Sequence, residues 1–421
     1  MNVKYKVAIT VLLKDRLRAL SFTSLAHFAN DGTSLLYPIL ITFYDKLPGI
    51  QITYLGSMVI IYNLISGTLS TPIGRYADRT GSYGVLLSVG IALLGVTSVI
   101  LALPFAYPAY ILPLLIVGSV FMGSGQAFYH PLGATILRNT YGLDAPKAMG
   151  VNGSFGSLGR AVMPTTVGFI MVFIGEFQGL MVYSAYSFIS ALVLYLGLRE
   201  VKVRKEKPVA AEKPKESHPT TRLRGSRFMP FLYILTAAVF IRSLFMVGTS
   251  TFIPTYLTQE YGSVITLTII LITYLLPVFG QPFFGSLTTR KGGRFTIVVT
   301  YIMSAIFFGL FLISGHNVIF TILSFGFFAF SAYSGFPVLL GYVGQIVPRD
   351  ALGRSNSIVW GIGQTIGGAV GAAVVSVLAL FVSVGTAIEY MFIFAIVSLV
   401  FLPLLPSKKK SESESGRSSP S

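Results

Sequence analysis

The chain has no cysteine, a single tryptophan and few charges: 15 acidic residues among 421, with charged side chains only 11% of the total. Without cysteine, disulfides, thiolate metal sites and cysteine nucleophiles are excluded. A soluble domain carries roughly 25% charged residues, so most of this chain cannot face water. What fills the gap is apolar: 53% hydrophobic residues, with 33 Phe, 22 Tyr and 43 Gly, and a mean hydropathy of +0.74. Aromatic rings suit lipid-facing and interfacial positions, and glycine lets membrane helices approach closely. The class that fits is an all-α, multi-pass membrane protein. An embedded enzyme would want metal-ligand spacing or a nucleophile with its base. The four histidines, His27, His130, His218 and His316, form no such pattern, so neither an active site, a metal nor a cofactor is expected.

A membrane span needs about 20 mostly apolar residues. Apolar runs between polar breaks fall near 19–43, 53–73, 84–103, 109–137, 148–174 and 179–198, then 229–257, 264–288, 295–314, 317–344, 355–383 and 387–405. That is twelve transmembrane helices in two sets of six. The division gives an N-terminal six-helix bundle over 1–198, a cytoplasmic linker over 199–228, a C-terminal six-helix bundle over 229–406 and a disordered cytoplasmic tail over 407–421. The linker mixes many charges with three prolines and cannot bury apolar area.

A net charge of +16 invites a nucleic-acid partner, and its distribution rejects one. The lysines and arginines crowd one set of alternating loops and the termini: Lys14, Arg16 and Arg18; Arg75 and Arg79; Arg138 and Lys147; Arg290, Lys291 and Arg294; the linker and the tail. The opposite set holds only Lys46 beside Asp45, Glu176, Glu260 and Glu389. Positive loops stay inside, so both termini are expected in the cytoplasm, with the protein in the cell membrane and lipid headgroups as its charged partners.

The halves repeat one another. Gly32-Thr33-Ser34 with Pro38 in the first span matches Gly248-Thr249-Ser250 with Pro254 in the seventh. Gly74 to Gly81 after the second span parallels Gly285 to Gly292 after the eighth, and Gly159–Val162 parallels Gly367–Val370. Three matches in order, at a near-constant offset, indicate two pseudo-symmetric bundles, one of the repeat plans that transporters use.

The segment Gly74-Arg75-Tyr76-Ala77-Asp78-Arg79-Thr80-Gly81 resembles the cytoplasmic G-x-L-A-D-R-x-G signature of the major facilitator superfamily, although Ser82 and Tyr83 replace the basic pair that usually follows. Leu25-Ala26-His27-Phe28-Ala29-Asn30-Asp31, Gly123 to Pro131 and Gly153 to Pro164 are similar to the fosmidomycin-resistance branch of efflux antiporters, with Leu132 where an acid often follows the His-Pro pair. The resemblance implies the major facilitator fold. It also implies that Gly74, Asp78, Arg79 and Gly81 form a conformational latch, with Asp78 docking near the start of the eleventh span. Alternatively, the loop is topogenic and its charges only hold orientation.

Ionisable groups inside the spans are few: Asp31 among the acids, Arg160 and Arg242 among the bases, with His27 and His130. Each costs about 2.5–3.5 kcal/mol or more at a helix centre, so each should face a partner or a wet cavity. At 1.5 Å per residue, His27 and His130 lie roughly 10 Å from the cytoplasmic edge and Arg160 and Arg242 roughly 16–18 Å deep. Asp31 is one turn beyond His27 on the same face. This points to a substrate or proton site of His27, Asn30, Asp31, His130, Arg160 and Arg242, with Asp31 binding the coupling proton and His27 tuning it. Structural alternatives remain for each: His27 and Asp31 pinning helices through Asn30, His130 re-bonding a carbonyl freed by Pro131, Arg160 as a fixed counter-ion, Arg242 snorkelling. Two arginines against one carboxylate favour an anionic solute. The expected function is secondary transport of a small molecule by a monomer, as a proton-coupled antiporter exporting a drug-like or anionic metabolite. The alternative is a proton-coupled symporter taking up a small organic metabolite.

Overall fold

The computed structural model describes residues 3–199, 228–348 and 351–406. Nearly all of the linker and the whole C-terminal tail, with their expected disorder, lie outside the described residues, as does Arg349. In hydrocarbon every backbone N–H and C=O must be satisfied within its own segment or in a closed barrel. The chain takes the first course, and among the described residues it contains helices and no strands.

The first six helices are α1 (Val3–Tyr44), α2 (Ile52–Thr80), α3 (Tyr83–Ala106), α4 (Ile111–Tyr141), α5 (Ala145–Phe173) and α6 (Glu176–Leu198). Next come α7 (Met229–Tyr261), α8 (Ser263–Lys291) and α9 (Gly293–Leu312). The tenth span is two pieces, α10 (Val318–Ala332) and α11 (Gly335–Ile346). The eleventh runs from α12 (Leu352–Ile358) through a π-helical stretch, Val359–Ile366, into α13 (Gly367–Leu378), and α14 (Val384–Leu399) is the twelfth. Among the described residues, ten helices are long and apolar enough to cross a membrane. The two spans missing from that set are instructive: α1 is diluted by His27, Asn30, Asp31 and its basic start, and the tenth is broken at Tyr333–Ser334.

Three boundaries depart from the sequence expectation. Helix α1 starts sixteen residues before the apolar run, and Arg16 and Arg18 anchor its N-terminal part. Arg18 Nε donates to the Gly197 carbonyl at 2.6 Å, at the C-terminal end of α6, where a cation meets the negative end of the helix dipole. Arg16 pairs with Asp144 at 3.1 Å, and the Tyr141 hydroxyl donates back to the Arg16 carbonyl at 2.9 Å. The second difference is that Gly74 to Thr80 is helix rather than loop, forming the last turns of α2. Only Gly81 turns, at φ 73, with its N–H donating to the Ala77 carbonyl at 2.8 Å. Gly292 closes α8 in the same way, at φ 89. The third is the tenth span, expected continuous over 317–344 and found in two pieces.

The chain divides into two compact units, Met1–Glu206 with Thr251–Val278 and Lys207–Ser250 with Phe279–Ser421. In the first, Leu87, Leu94, Leu132, Ile136 and Leu194 pack with Tyr129 against α1. In the second, Leu232, Leu235, Phe284, Ile297, Val338 and Tyr342 form the equivalent core. Phe173 and Ile319, 71% and 72% exposed, represent the apolar side chains turned outward, as lipid contact requires. The internal repeat survives as matched backbone contacts. A Cβ on Gly159 of α5 would overlap the Phe28 carbonyl of α1, and one on Gly371 of α13 would overlap the Leu244 carbonyl of α7. Gly32 and Gly248 return the contact against Gly159 and Gly371. The packing therefore aligns Gly159 with Gly371, one turn beyond the Gly367 that the sequence match had paired with it.

Replacing Gly159 by Ala should force α1 and α5 apart and destabilise the purified protein by about 1–3 kcal/mol. Gly150→Ala on the same helix, where an added Cβ meets nothing within 4 Å, should leave the thermal unfolding temperature unchanged. Equal behaviour of the two variants would contradict the packing described.

Candidate functional site

Helix α1 carries His27 and Asp31 at i and i+4, so both project from one face. Asp31 is 4% exposed. One carboxylate oxygen lies 3.2 Å from His27 Nε2 and 3.4 Å from Arg160 Nη1 of α5. The other accepts from Asn30 Nδ2 at 3.0 Å and stands 3.9 Å from His130 Nε2 of α4. Side chains from three helices of the first unit therefore gather around one carboxylate. Arg160 is held in turn by Ser157 Oγ at 3.2 Å.

The opposite side of the His27 ring determines its chemistry. Nδ1 lies 2.9 Å from the Asn152 backbone carbonyl and 2.9 Å from Asn152 Oδ1. The carbonyl can only accept, so Nδ1 must carry a hydrogen. A neutral imidazole has one N–H, and with Nδ1 committed, Nε2 is a bare lone pair. Such a lone pair cannot rest 3.2 Å from an ionised carboxylate oxygen without repulsion. A proton between Nε2 and Asp31, on either atom, makes this contact attractive. With that proton, His27, Asp31 and Arg160 together carry one positive charge; without it they are neutral and the His27–Asp31 contact turns repulsive.

The surrounding side chains hold this arrangement in place. His27 stacks on Tyr129, with ring centroids 4.4 Å apart, and the Tyr129 hydroxyl donates to Asn152 Oδ1 at 2.6 Å. Asn152 Nδ2 reaches Thr23 Oγ1 at 3.3 Å and Ser24 Oγ at 3.4 Å. Gly156 lies under the imidazole where any Cβ would collide with it. His130 is the open member, its side chain 54% exposed, with its ring edge-on to His27 at 5.9 Å. It is not needed to repair the proline kink: the Ala127 carbonyl, left without a donor by Pro131, accepts from Ser70 Oγ at 3.2 Å. Among the described residues no group of three or more His, Cys, Asp and Glu is arranged to hold a metal ion.

Five of the six expected site residues thus converge: His27, Asn30, Asp31, His130 and Arg160. Arg242 lies in the other unit. Its Nη2 is 3.3 Å from Ser304 Oγ and 3.3 Å from the Ala332 carbonyl, and its guanidinium stands 4.4 Å over the Tyr301 ring. At the expected latch, Asp78 accepts from the Tyr83 hydroxyl at 2.7 Å, tying the end of α2 to the start of α3. Arg79 is exposed, and Gly74 allows α2 to approach Pro131 of α4. The sequence alone did not single out Asn152, Tyr129, Ser157, Tyr301 or Ser304. A polar residue within one or two turns of a span's ionisable group was the available signal.

The Major Facilitator Superfamily profile matches residues 20–358 and 235–420. An uncharacterized MFS-type transporter of Bacillus subtilis, YfnC, is 27% identical over 154 residues, which is 36% of this chain and 36% of that protein. Two crystal structures of a bacterial homologue of the human lysosomal transporter Spinster share the fold. The inward-facing unoccupied form is 14% identical, with a TM-score of 0.67 over 97% of this chain and 99% of that one. The inward-facing occupied form is 15% identical, with a TM-score of 0.66 over 100% of both. The chain is a multi-pass membrane transporter, not an enzyme, and it belongs to the Major Facilitator Superfamily.

Proposed function

We propose that the chain is a proton-coupled secondary transporter that works by alternating access in the cell membrane, with the coupling proton held between His27 and Asp31. The six-helix bundles over 1–198 and 229–406 are its moving bodies, both termini are cytoplasmic, and the monomer is the working unit. The observation that carries this reading is the His27 contact set: one ring nitrogen committed to donating to a backbone carbonyl, the other against a carboxylate. Proton loss converts an attraction into a repulsion at the centre of α1. A binding event of that kind biases one helix arrangement over another.

The sign of the charge bears on the direction. A protonated cluster carries net positive charge and leaves Arg160 less firmly neutralised, which favours an anionic solute travelling with the proton; this supports symport. A cationic or neutral solute competing for the ionised Asp31 would exchange against the proton instead. The likeness of 25–31 and 123–131 to the fosmidomycin-resistance branch supports that antiport and export. In either case Gly74, Asp78, Arg79 and Gly81 serve as a conformational latch, with Asp78 docking near the start of the eleventh span.

In proteoliposomes with an imposed pH gradient, Asp31→Asn should abolish gradient-driven flux while leaving solute exchange measurable. Unchanged coupling would remove Asp31 from the mechanism. Solute driven down the direction of proton flow assigns symport, and solute driven against it assigns antiport. Because the chain has no cysteine, single cysteines also test the topology: a membrane-impermeant maleimide added to intact cells should label Asp45→Cys and not Ser421→Cys. The reverse pattern would overturn the assigned orientation.

A further inference from the structure

We propose that Arg242 anchors an oxyanion-binding site in the second unit, so that the transported solute carries a carboxylate or phosphoryl group. The inference rests on the transport reading above, but a different observation carries it. Arg242 sits on α7, partly exposed, and its Nε is buried without a hydrogen-bond partner. Its contacts include the Ser304 hydroxyl, the Ala332 carbonyl and the Tyr301 ring and hydroxyl, with Tyr333 nearby, all uncharged. Among the described residues no carboxylate lies within 4.0 Å of it.

The sequence explains why. From 229 to 406 the only acids are Glu260, Asp350 and Glu389. Glu260 is at the end of α7, eighteen residues from Arg242; Glu389 is exposed on α14; Asp350 lies outside the described residues. The contrast with Arg160 is sharp, because that guanidinium has Asp31 at 3.4 Å. One intramembrane arginine is neutralised by its own chain and the other is not. A charged side chain at membrane depth is costly without a partner or a wet cavity, and such residues in spans mark substrate and ion pathways. The Ala332 carbonyl, at the C-terminal end of α10, offers at most about half a negative charge, and to one nitrogen only.

The backbone around Arg242 is shaped to match. The tenth span breaks between Ala332 and Gly335 beside the guanidinium. Non-helical backbone at membrane depth is tolerated only when buried in protein or lining a wet cavity. A Cβ on Gly335 would come within 3.0 Å of Arg242 Nη1, so the glycine leaves the fork unobstructed. Stacked on Tyr301 and free at Nε, the guanidinium has the planar geometry that takes a carboxylate or phosphoryl group through two parallel N–H bonds. A soluble organic anion and an anionic lipid headgroup share this chemistry, and the proposal commits to the soluble solute.

The test is isothermal titration of the purified full-length protein in phosphatidylcholine nanodiscs with benzoate, phenylphosphonate and neutral benzamide. At least one anion should bind and benzamide should not. Arg242→Gln should weaken anion binding about tenfold or more, and Arg242→Lys, which keeps the charge and loses the fork, should fall between. If Arg242→Gln does not yield folded protein, Gly335→Ala carries the test: it retains the charge, presses on Nη1 and should weaken anion binding several-fold. Asp31→Asn should keep anion binding even where it abolishes proton-driven flux, which separates failure of this site from failure of the proton site. Absence of anion binding, equal affinity for benzamide, or full affinity in both Arg242→Gln and Gly335→Ala would overturn the proposal. So would a stabilisation seen only with phosphatidylglycerol nanodiscs and lost in Arg242→Gln, which would assign the site to lipid.

Discussion

A carboxylate sealed inside a membrane helix must bring positive charge with it, and Asp31 has candidate partners on its own helix and on α5. Arg160 supplies a permanent cation at 3.4 Å and His27 a conditional one at 3.2 Å. The conditional partner is the informative one, because the Asn152 carbonyl fixes which ring nitrogen bears hydrogen. In the proposed mechanism the compact cluster is the proton-loaded form of the site. Tyr129, Asn152, Thr23, Ser24 and Gly156 all hold the His27 ring in the orientation that makes this so.

The two units share a packing solution and differ in their charges. Gly159 against Phe28 and Gly371 against Leu244 bring backbones together in the same manner, and Gly81 and Gly292 each follow the end of a corresponding helix with a positive φ. Duplication explains that much. Chemistry is distributed unequally over the repeated frame: in the first unit Arg160 stands beside Asp31, whereas among the described residues no carboxylate lies within 4.0 Å of Arg242 in the second. In the proposed mechanism the proton and the solute are held on different units and are coupled through a change of conformation.

Much of this was readable in the residues. Apolar runs marked the helices because lipid leaves the backbone no other course. The i, i+4 spacing of His27 and Asp31, and the rarity of acids within the spans, identified the core of the site. Other features were hidden for physical reasons. Hydropathy reports only the membrane part of a helix, so the Arg16–Arg18 extension of α1 was invisible. Glycine signals a turn and tolerates a helix equally, so Gly74 to Thr80 was read as loop. The break at Tyr333–Ser334 had Ser334, Gly335 and Pro337 as punctuation, masked by the apolar residues around them. The bond between Asn152 and His27 joins residues far apart in the chain, and nothing local announces it.

The most direct test is the nitrogen chemistry of His27, read by solid-state ¹⁵N spectra of histidine-labelled protein in lipid, with His27→Gln identifying the signals. The account predicts that Nδ1 is protonated throughout the accessible pH range, while Nε2 moves from protonated or proton-sharing to bare as the cluster deprotonates, and that Asp31→Asn removes this transition. An imidazole protonated only at Nε2, or a transition indifferent to Asp31→Asn, would contradict it.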